Sequence, residues 1–258
     1  MSDITLSIVL PGIRDYNWTK LYRSIEKACS SSWELLICGP VKDFPTELRD
    51  VENVKLIYDK GSPVRASNIA ASLASGKYIT WTADDAVYLP DSIDKALALL
   101  GSNTKDVVVG KYFEGVDGSD KELHGEDYFK IVGSMSTQTP WISEDWYLFN
   151  IAFMHREFFD SLGGWDCSFE ACPMAHTDMA CRAYVESTKV VMLEDPVLDC
   201  GHMPGTSGDH APIHYAQLGH DEPLFRSLYS NDMWIKNSRH LELDFWKIYP
   251  SIWERRFK

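Results

Sequence analysis

Residues 64–85 read VRASNIAASLASGKYITWTADD, and the fold is decided by how this stretch is parsed. Ala66, Ile69, Ala70 and Leu73 recur at the spacing that puts side chains on one face of a helix, and Gly76 supplies its C-terminal stop. Tyr78 to Thr82 is a short apolar run that reads as a buried strand. It runs straight into two adjacent acids, Asp84 and Asp85. Leu89-Pro90-Asp91 then opens another helix, with Asp91 as the expected cap and Ile93, Ala96, Leu97 and Leu100 on its inner face. Paired acids at a strand end are either a metal site or an acidic turn, and the neighbouring segments decide between these.

The same alternation extends upstream. Thr5–Leu10 (TLSIVL) is a buried strand closed by Pro11-Gly12. Trp18, Leu21, Tyr22, Ile25 and Ala28 follow at helical spacing. Trp33–Cys38 (WELLIC), Asn53–Tyr58 (NVKLIY) and Asp106–Gly110 (DVVVG) are further strands. The order strand, helix, strand, strand, helix, strand predicts an α/β fold built on an open, mostly parallel sheet flanked by helices. Ligands of such sheets bind at the strand-end loops, where Asp84 and Asp85 lie.

The chain of 258 residues is 45% hydrophobic and carries a net charge of -13. That is enough for one sizeable core, and the expectation is a single domain over 1–258. So acidic a surface repels nucleic acid and anionic lipid, but a local basic pocket or a bound cation still admits a small anionic ligand. No apolar run approaches a membrane span and no leader pattern opens the chain, which predicts a soluble, cytoplasmic protein. The six cysteines show no C-x-x-C spacing and read as free thiols, Cys167 and Cys172 included.

Beyond Gly110 the pattern loosens. Phe149–His155 reads as a strand, 156–162 as a helix stopped by Gly163-Gly164, Met179 to Val185 as part of another helix, and Lys189–Glu194 as a late strand. The tail alternates aromatic and basic residues (Trp246, Lys247, Tyr249, Trp253, Arg255, Arg256). Pro250 interrupts it, so docking on the body of the domain is expected over a membrane-surface helix.

Four stretches, in order, resemble the family-2 glycosyltransferases with the GT-A (nucleotide-diphospho-sugar transferase) fold. SIVLPGIRD is similar to the family's opening strand and donor loop. VRASNIAASLASGKYITWTADD resembles its Asn-bearing helix, Gly turn and strand into the Asp-x-Asp motif. FMHREFFDSLGGWDCSFE resembles its acceptor-side Gly-Gly-aromatic-Asp signature, and HTDMACR the end of its Glu-Asp-x-Asp-Leu-x-x-Arg motif. The resemblance spans roughly residues 4 to 230. It departs from the family at three places: Cys38-Gly39-Pro40 stands where two acids are usual, Ala83 replaces the first acid of Asp-x-Asp, and Ala175-His176 replaces the Glu-Asp pair.

The resemblance implies a metal-dependent hexosyltransferase. It would use a UDP-hexose, UDP-glucose or UDP-galactose, and the hydroxyl of a saccharide or glycoconjugate. A nucleotide-sugar half would run over 1–110, an acceptor-side half over 111–240 and a tail over 241–258. Bond cleavage puts charge on the leaving diphosphate, which a divalent cation stabilises. Mn²⁺ or Mg²⁺ takes oxygen ligands, and Mn²⁺ also accepts imidazole. Asp85 and His202 are the implied metal ligands, with His210 and His214 in reserve. Pro11, Gly12, Arg14, Arg65, Asn68 and Asp84 are the implied donor contacts, since arginine holds phosphate through paired hydrogen bonds. Trp165 and Asp166 suit a sugar, by stacking and by accepting hydroxyl hydrogens. Glu144, Asp145 and Trp146 repeat that chemistry. His176 stands where the family's catalytic base is expected, and Asp178 orients it, replaces it or caps a helix. Two rivals stay open: a nucleotidyltransferase, for which PGIRDYNW is a poor signature loop, and a non-catalytic sugar-nucleotide-binding relative.

Overall fold

The computed structural model describes residues 3–115, 121–125, 148–201, 211–229 and 239–251. Its strands are β1 (Leu6–Pro11), β2 (Trp33–Gly39), β3 (Val54–Tyr58), β4 (Tyr78–Trp81), β5 (Ala86–Tyr88), β6 (Asp106–Glu114), β7 (Glu122–His124), β8 (Ala152–His155) and β9 (Lys189–Cys200). Its helices are α1 (Asp15–Ala28), α2 (Pro63–Ala71), α3 (Ser92–Leu99), α4 (Arg156–Ser161), α5 (Cys172–Glu186), α6 (Ala211–Ala216) and α7 (Glu222–Leu228). All the strands join one sheet in the order β3-β2-β1-β4-β8-β6-β9-β5, with β7 pairing off β6.

The sheet is parallel from β3 to β4. Beyond that it is mixed, because β8 enters antiparallel between β4 and β6, and β5 returns antiparallel along β9. Alternation along β1 shows how the layers form. Leu6, Ile8 and Leu10 pack with Trp18, Leu21 and Ile25 of α1 and Ile93 of α3. Val9 faces the other way, into a core with Ile69 of α2, Phe159 of α4 and Met179 of α5. Each such fully buried side chain contributes about 1.5–3 kcal/mol relative to exposure. Both faces of β1 and β2 are therefore apolar, apart from Ser7 and one acid.

That acid, Glu34, pins the N-terminal ends of the strands. Its Oε1 accepts from the Ser7 hydroxyl at 2.8 Å and from the Ser75 amide and hydroxyl at 2.7 Å, and Lys55 Nζ lies 2.8 Å from Oε2. Burial opposes the charge, but Lys55 and the serine donors outweigh it and hold the carboxyl below its ordinary range.

Two local readings change. Asp91 precedes α3 as expected, but with left-handed backbone (φ 58°) and no side-chain cap, a conformation Asp tolerates. The late strand does not stop at Glu194. β9 continues to Cys200, and Pro196, which has no N–H to donate, sits at a register shift opposite Lys111. All six cysteines are free. Among the described residues no helix is long and apolar enough to cross a membrane.

The start of the tail docks on α2. The Ser62 amide donates to Ser251 Oγ at 3.0 Å, and that hydroxyl donates to buried Glu170 at 2.9 Å. Arg65 donates to the Trp246 carbonyl at 2.5 Å and lies over the Trp246 ring. Trp253, Arg255 and Arg256 lie outside the described residues.

Candidate functional site

The acids of the opening stretch meet the first loop at the C-terminal ends of the strands. Pro11 ends β1, and the Gly12 amide donates to the Cys38 carbonyl at 2.9 Å, tying the loop to β2. The next two amides, Ile13 and Arg14, both donate to Asp84 Oδ2, at 2.7 and 2.8 Å. The Arg14 guanidinium bonds Asp84 Oδ1 and reaches Asp85 Oδ2 at 3.3 Å. Burial pushes the Asp84 carboxyl up, while Arg14 and the two amides pull it back. Both Asp84 oxygens are thus engaged in shaping the loop.

Asp85 is held from the other side of the site. Its carbonyl accepts from the Gly201 amide at 2.9 Å, and its Oδ1 accepts from the Cys200 thiol at 3.2 Å. Cys200 was not singled out from the sequence, since it neighbours Asp85 only through the β5–β9 pairing.

A divalent cation fits this corner on one condition. Among the described residues no three His, Cys, Asp or Glu side chains gather closely enough to cage a metal. The Asp85 carboxylate already meets the Arg14 guanidinium at 3.3 Å and the Cys200 thiol at 3.2 Å, so a cation there would share it with both. Mg²⁺-type sites are often built from one or two carboxylates plus substrate phosphates, and Asp85 meets that minimum. His202 and His210, the other implied ligands, lie outside the described residues, as do Glu144, Asp145 and Trp146. His214 is on α6.

The acceptor-side residues form an interior cluster. Asn68 clamps the Gly-Gly-Trp turn, its Oδ1 accepting from the Trp165 amide at 2.9 Å and its Nδ2 donating back to the Trp165 carbonyl. Gly163 and Gly164 take left-handed backbone, and a Cβ at either would strike the Leu241 carbonyl or the Asn68 amide oxygen. Trp165 is 1% exposed and packs edge-on against Trp81 at 5.1 Å, its indole N–H meeting no acceptor among the described residues. Asp166, 2% exposed, bonds Ser168 and Arg239. Burial opposes its charge, but Arg239 and Ser168 bring the carboxyl below its ordinary range.

Asp178 is fully buried on α5. One oxygen accepts from Arg182, at 2.9 Å, and the other from Tyr229 and Arg239. Arg182 also donates to the carbonyls of Leu162 and Gly164, at 2.5 and 2.7 Å. His176 points between Trp81 and Trp165, with ring centroids 5.6 and 6.1 Å away. Desolvation there pushes its pKa down from 6.5 to about 3, so it is neutral at any physiological pH. Arg65 pairs with Asp59 at 3.2 Å, besides holding the tail.

So the structure brings Pro11, Gly12, Arg14, Asp84 and Asp85 together at the strand ends. It gathers Asn68, Trp165, Asp166, His176 and Asp178 in a second group, with Arg65 between α2 and the tail. Arg239 was missed: it lies 61 and 73 positions from the acids it joins, a distance no local pattern spans.

Solved structures that this chain resembles include Staphylococcus aureus TarS. The 1–349 fragment matches with TM-score 0.56 at 15% identity, covering 76% of this chain and 60% of that one. The same fragment in complex with UDP matches with TM-score 0.56, covering 91% and 75%. A longer TarS structure gives TM-score 0.57 at 14% identity, with only 43% of its length covered. Among curated proteins, the UDP-Glc:alpha-D-GlcNAc-diphosphoundecaprenol beta-1,3-glucosyltransferase WfgD of Escherichia coli is 25% identical over 120 residues, 43% of this chain. The match spans about half of that relative, 47% of its length. The sheet and its flanking helices are those of the GT-A fold. A family model for Glycosyl transferase family 2 matches residues 17–165, more than half of the sequence and inclusive of the strand-end acids and the Gly-Gly-Trp turn; the chain belongs to that family.

Proposed function

We propose that this chain transfers a hexose from a UDP-sugar to a hydroxyl of a saccharide or glycoconjugate. The observation that carries the reading is the convergence of Arg14, Asp84 and Asp85 where the β1 loop meets the end of β4. Family membership gives the reaction class. The donor is inferred from relatives: a UDP-Glc enzyme in E. coli, and TarS structures in complex with UDP and UDP-GlcNAc. UDP-glucose and UDP-galactose are the first donors to test.

In this reading Asp84 fixes the loop so that the backbone of Pro11 and Gly12 lies along the nucleotide. Arg14 brings a permanent positive charge to the phosphates. Asp85 would hold Mn²⁺ or Mg²⁺, with His202 as a second ligand; such a cation neutralises charge on the departing diphosphate. Asn68 supports the acceptor side by locking the Trp165–Asp166 turn. Arg65 closes the tail over α2, at the edge of the nucleotide half. His176 presents a neutral ring to the acceptor side, and Asp178 sets the position of α5 beneath it.

Titration of UDP into the protein with and without Mn²⁺, followed by a donor panel scored for hydrolysis, tests the reading. UDP binding that Mn²⁺ strengthens, with a UDP-hexose cleaved fastest, is expected. A GDP- or CMP-sugar cleaved best would overturn the donor assignment. UDP binding with no cleavage of any donor would leave a binding module.

A further inference from the structure

Asp166 and Asp178 stand on different segments, the turn after α4 and the helix α5, and one guanidinium joins them. Each acid engages one oxygen near home. Asp166 Oδ1 accepts from the Ser168 amide at 2.9 Å and from its hydroxyl, and Asp178 Oδ2 accepts from Arg182 at 2.9 Å. Asp166 Oδ2 and Asp178 Oδ1 both accept from Arg239, the second at 2.6 Å. The acids are 2% and 0% exposed, so water screens their charges little, and Arg239 is the cation placed between them. They do not depend on it equally. Asp178 also has Arg182 and the Tyr229 hydroxyl, and Arg182 ties α5 to the turn a second time, through the Leu162 and Gly164 carbonyls. Asp166 has, besides Arg239, only Ser168 among the described residues. Loss of Arg239 would therefore free Asp166 first and leave the anchor of α5 in place.

The segment that carries Arg239 adds to this grip. The left-handed glycines at 163 and 164 leave room for the Leu241 carbonyl and the Leu243 side chain, which a Cβ at those positions would strike. The same segment continues to α2, where Arg65 donates to the Trp246 carbonyl. Asn68 of α2 in turn accepts from the Trp165 amide at 2.9 Å. The Trp165–Asp166 turn is thus held both by the helix of the nucleotide half and by residues more than 70 positions further along the chain. Trp165 itself stands 5.1 Å from Trp81 and 6.1 Å from His176, ring centroid to ring centroid.

We propose that Arg239 is a positioning residue of the transfer: by bridging Asp166 to Asp178 it sets the Trp165–Asp166 turn at the distance from α5 that the acceptor requires. This rests on the glycosyltransferase reading, with the acceptor bound beside that turn. Arg239 touches no reacting atom and acts through Asp166. Its planar fork reaches the two acids through separate nitrogens, a geometry that the single ammonium of lysine does not reproduce.

Hydrolysis of the UDP-hexose that the wild type cleaves fastest tests this, because water then takes the acceptor's place. Arg239→Lys should unfold in urea near the wild-type midpoint, bind UDP as tightly and keep the KM of the donor. Its kcat should fall at least about tenfold, since a misplacement of about 1 Å can cost about 100-fold. Asp166→Asn should lose a similar factor, and adding Arg239→Lys to it should lose no more, because the two act through one contact. A residue that only supports the fold would instead lower stability, UDP binding and rate together, and its effect would multiply with that of Asp166→Asn. A wild type that cleaves no UDP-sugar overturns the parent reading and this assignment with it. Where the wild type cleaves the donor, three results overturn the assignment alone: an Arg239→Lys with wild-type kcat, one that fails to fold, or a double variant whose losses multiply.

Discussion

Asp178 and Asp85 are both acids set against arginine, and their surroundings differ in kind. Asp178 is fully buried, with each oxygen meeting fixed donors from Arg182, Arg239 and Tyr229, and its arginine is anchored in turn on the Leu162 and Gly164 carbonyls. Asp85 meets Arg14 at 3.3 Å and a thiol at 3.2 Å. The first arrangement repays the cost of burying charge by saturating every partner, and it makes the fold depend on each of them. The second joins a carboxylate to Arg14 and the Cys200 thiol at the strand ends. Asp84 is engaged on both oxygens like Asp178, but by the loop after β1. Similar chemistry is set in an interior cluster in one place and at the strand ends in the other.

The widest gap should appear when the saturated cluster is broken. Arg182→Ala leaves Asp178 short of its closest cation and strips donors from two buried carbonyls. It should cost about 3–5 kcal/mol, the usual penalty for halving a buried ion pair. Urea unfolding checks this, and a midpoint near wild type would erase the contrast with Asp85.

Asp84→Ala should come next. It removes an acceptor from two amides and a guanidinium, at about 1.5–3 kcal/mol for hydrogen bonds to a charged group. Proteolysis after β1 should accelerate as the loop loosens, a change that limited trypsin digestion at Arg14 would report.

Asp85→Asn should separate function from stability. Unfolding should stay within about 1 kcal/mol of wild type, because the mutant keeps the shape of the side chain. The gain in UDP affinity on adding Mn²⁺ should fall about tenfold, equivalent to about 1.4 kcal/mol. Calorimetry with both ligands decides it, and an unchanged Mn²⁺ effect would remove Asp85 from the metal reading.

The remaining effect concerns pH. His176 has a folded pKa of about 3 against 6.5. Below 6.5 the unfolded chain binds a proton that the folded one refuses, so stability falls as pH drops from 6.5 towards 3. The slope from this group is at most about 1.4 kcal/mol per pH unit. Glu34 and Asp166, both lowered, act in the same direction at acid pH, their contributions being present above the unfolded pKa and lost as pH falls. His176→Gln should flatten the decline between pH 6.5 and 4.5, where the carboxylates contribute least. An identical slope would show that the ring is solvated.

The parallel half and the acids at its strand ends were legible in the sequence. The β1 and β2 segments announce themselves because both faces of a central parallel strand are buried, leaving short apolar runs ended by Pro or Gly. Helices α1 and α2 show through the spacing of Trp18, Leu21 and Ile25 and of Ala66, Ile69 and Ala70. Local periodicity carries such elements, and the position of Asp84 and Asp85 follows from the strand before them. The second half was less legible. Residues after Gly110 form strands whose partners lie far along the chain, and β9 continues through Pro196 only because a register shift absorbs the missing donor.

The sequence by itself determined an α/β sheet, the acids at the end of β4, the family signature, and the absence of any long apolar span. Tertiary structure alone decided the occupation of those residues. Asp84 shapes a loop 70 positions upstream, Arg239 closes on two acids 61 and 73 positions away, and Cys200 meets Asp85 across 115 positions. A side chain's protonation, accessibility and partners depend on what the folded chain brings against it. Contacts of that range leave no periodic trace in the residues beside it.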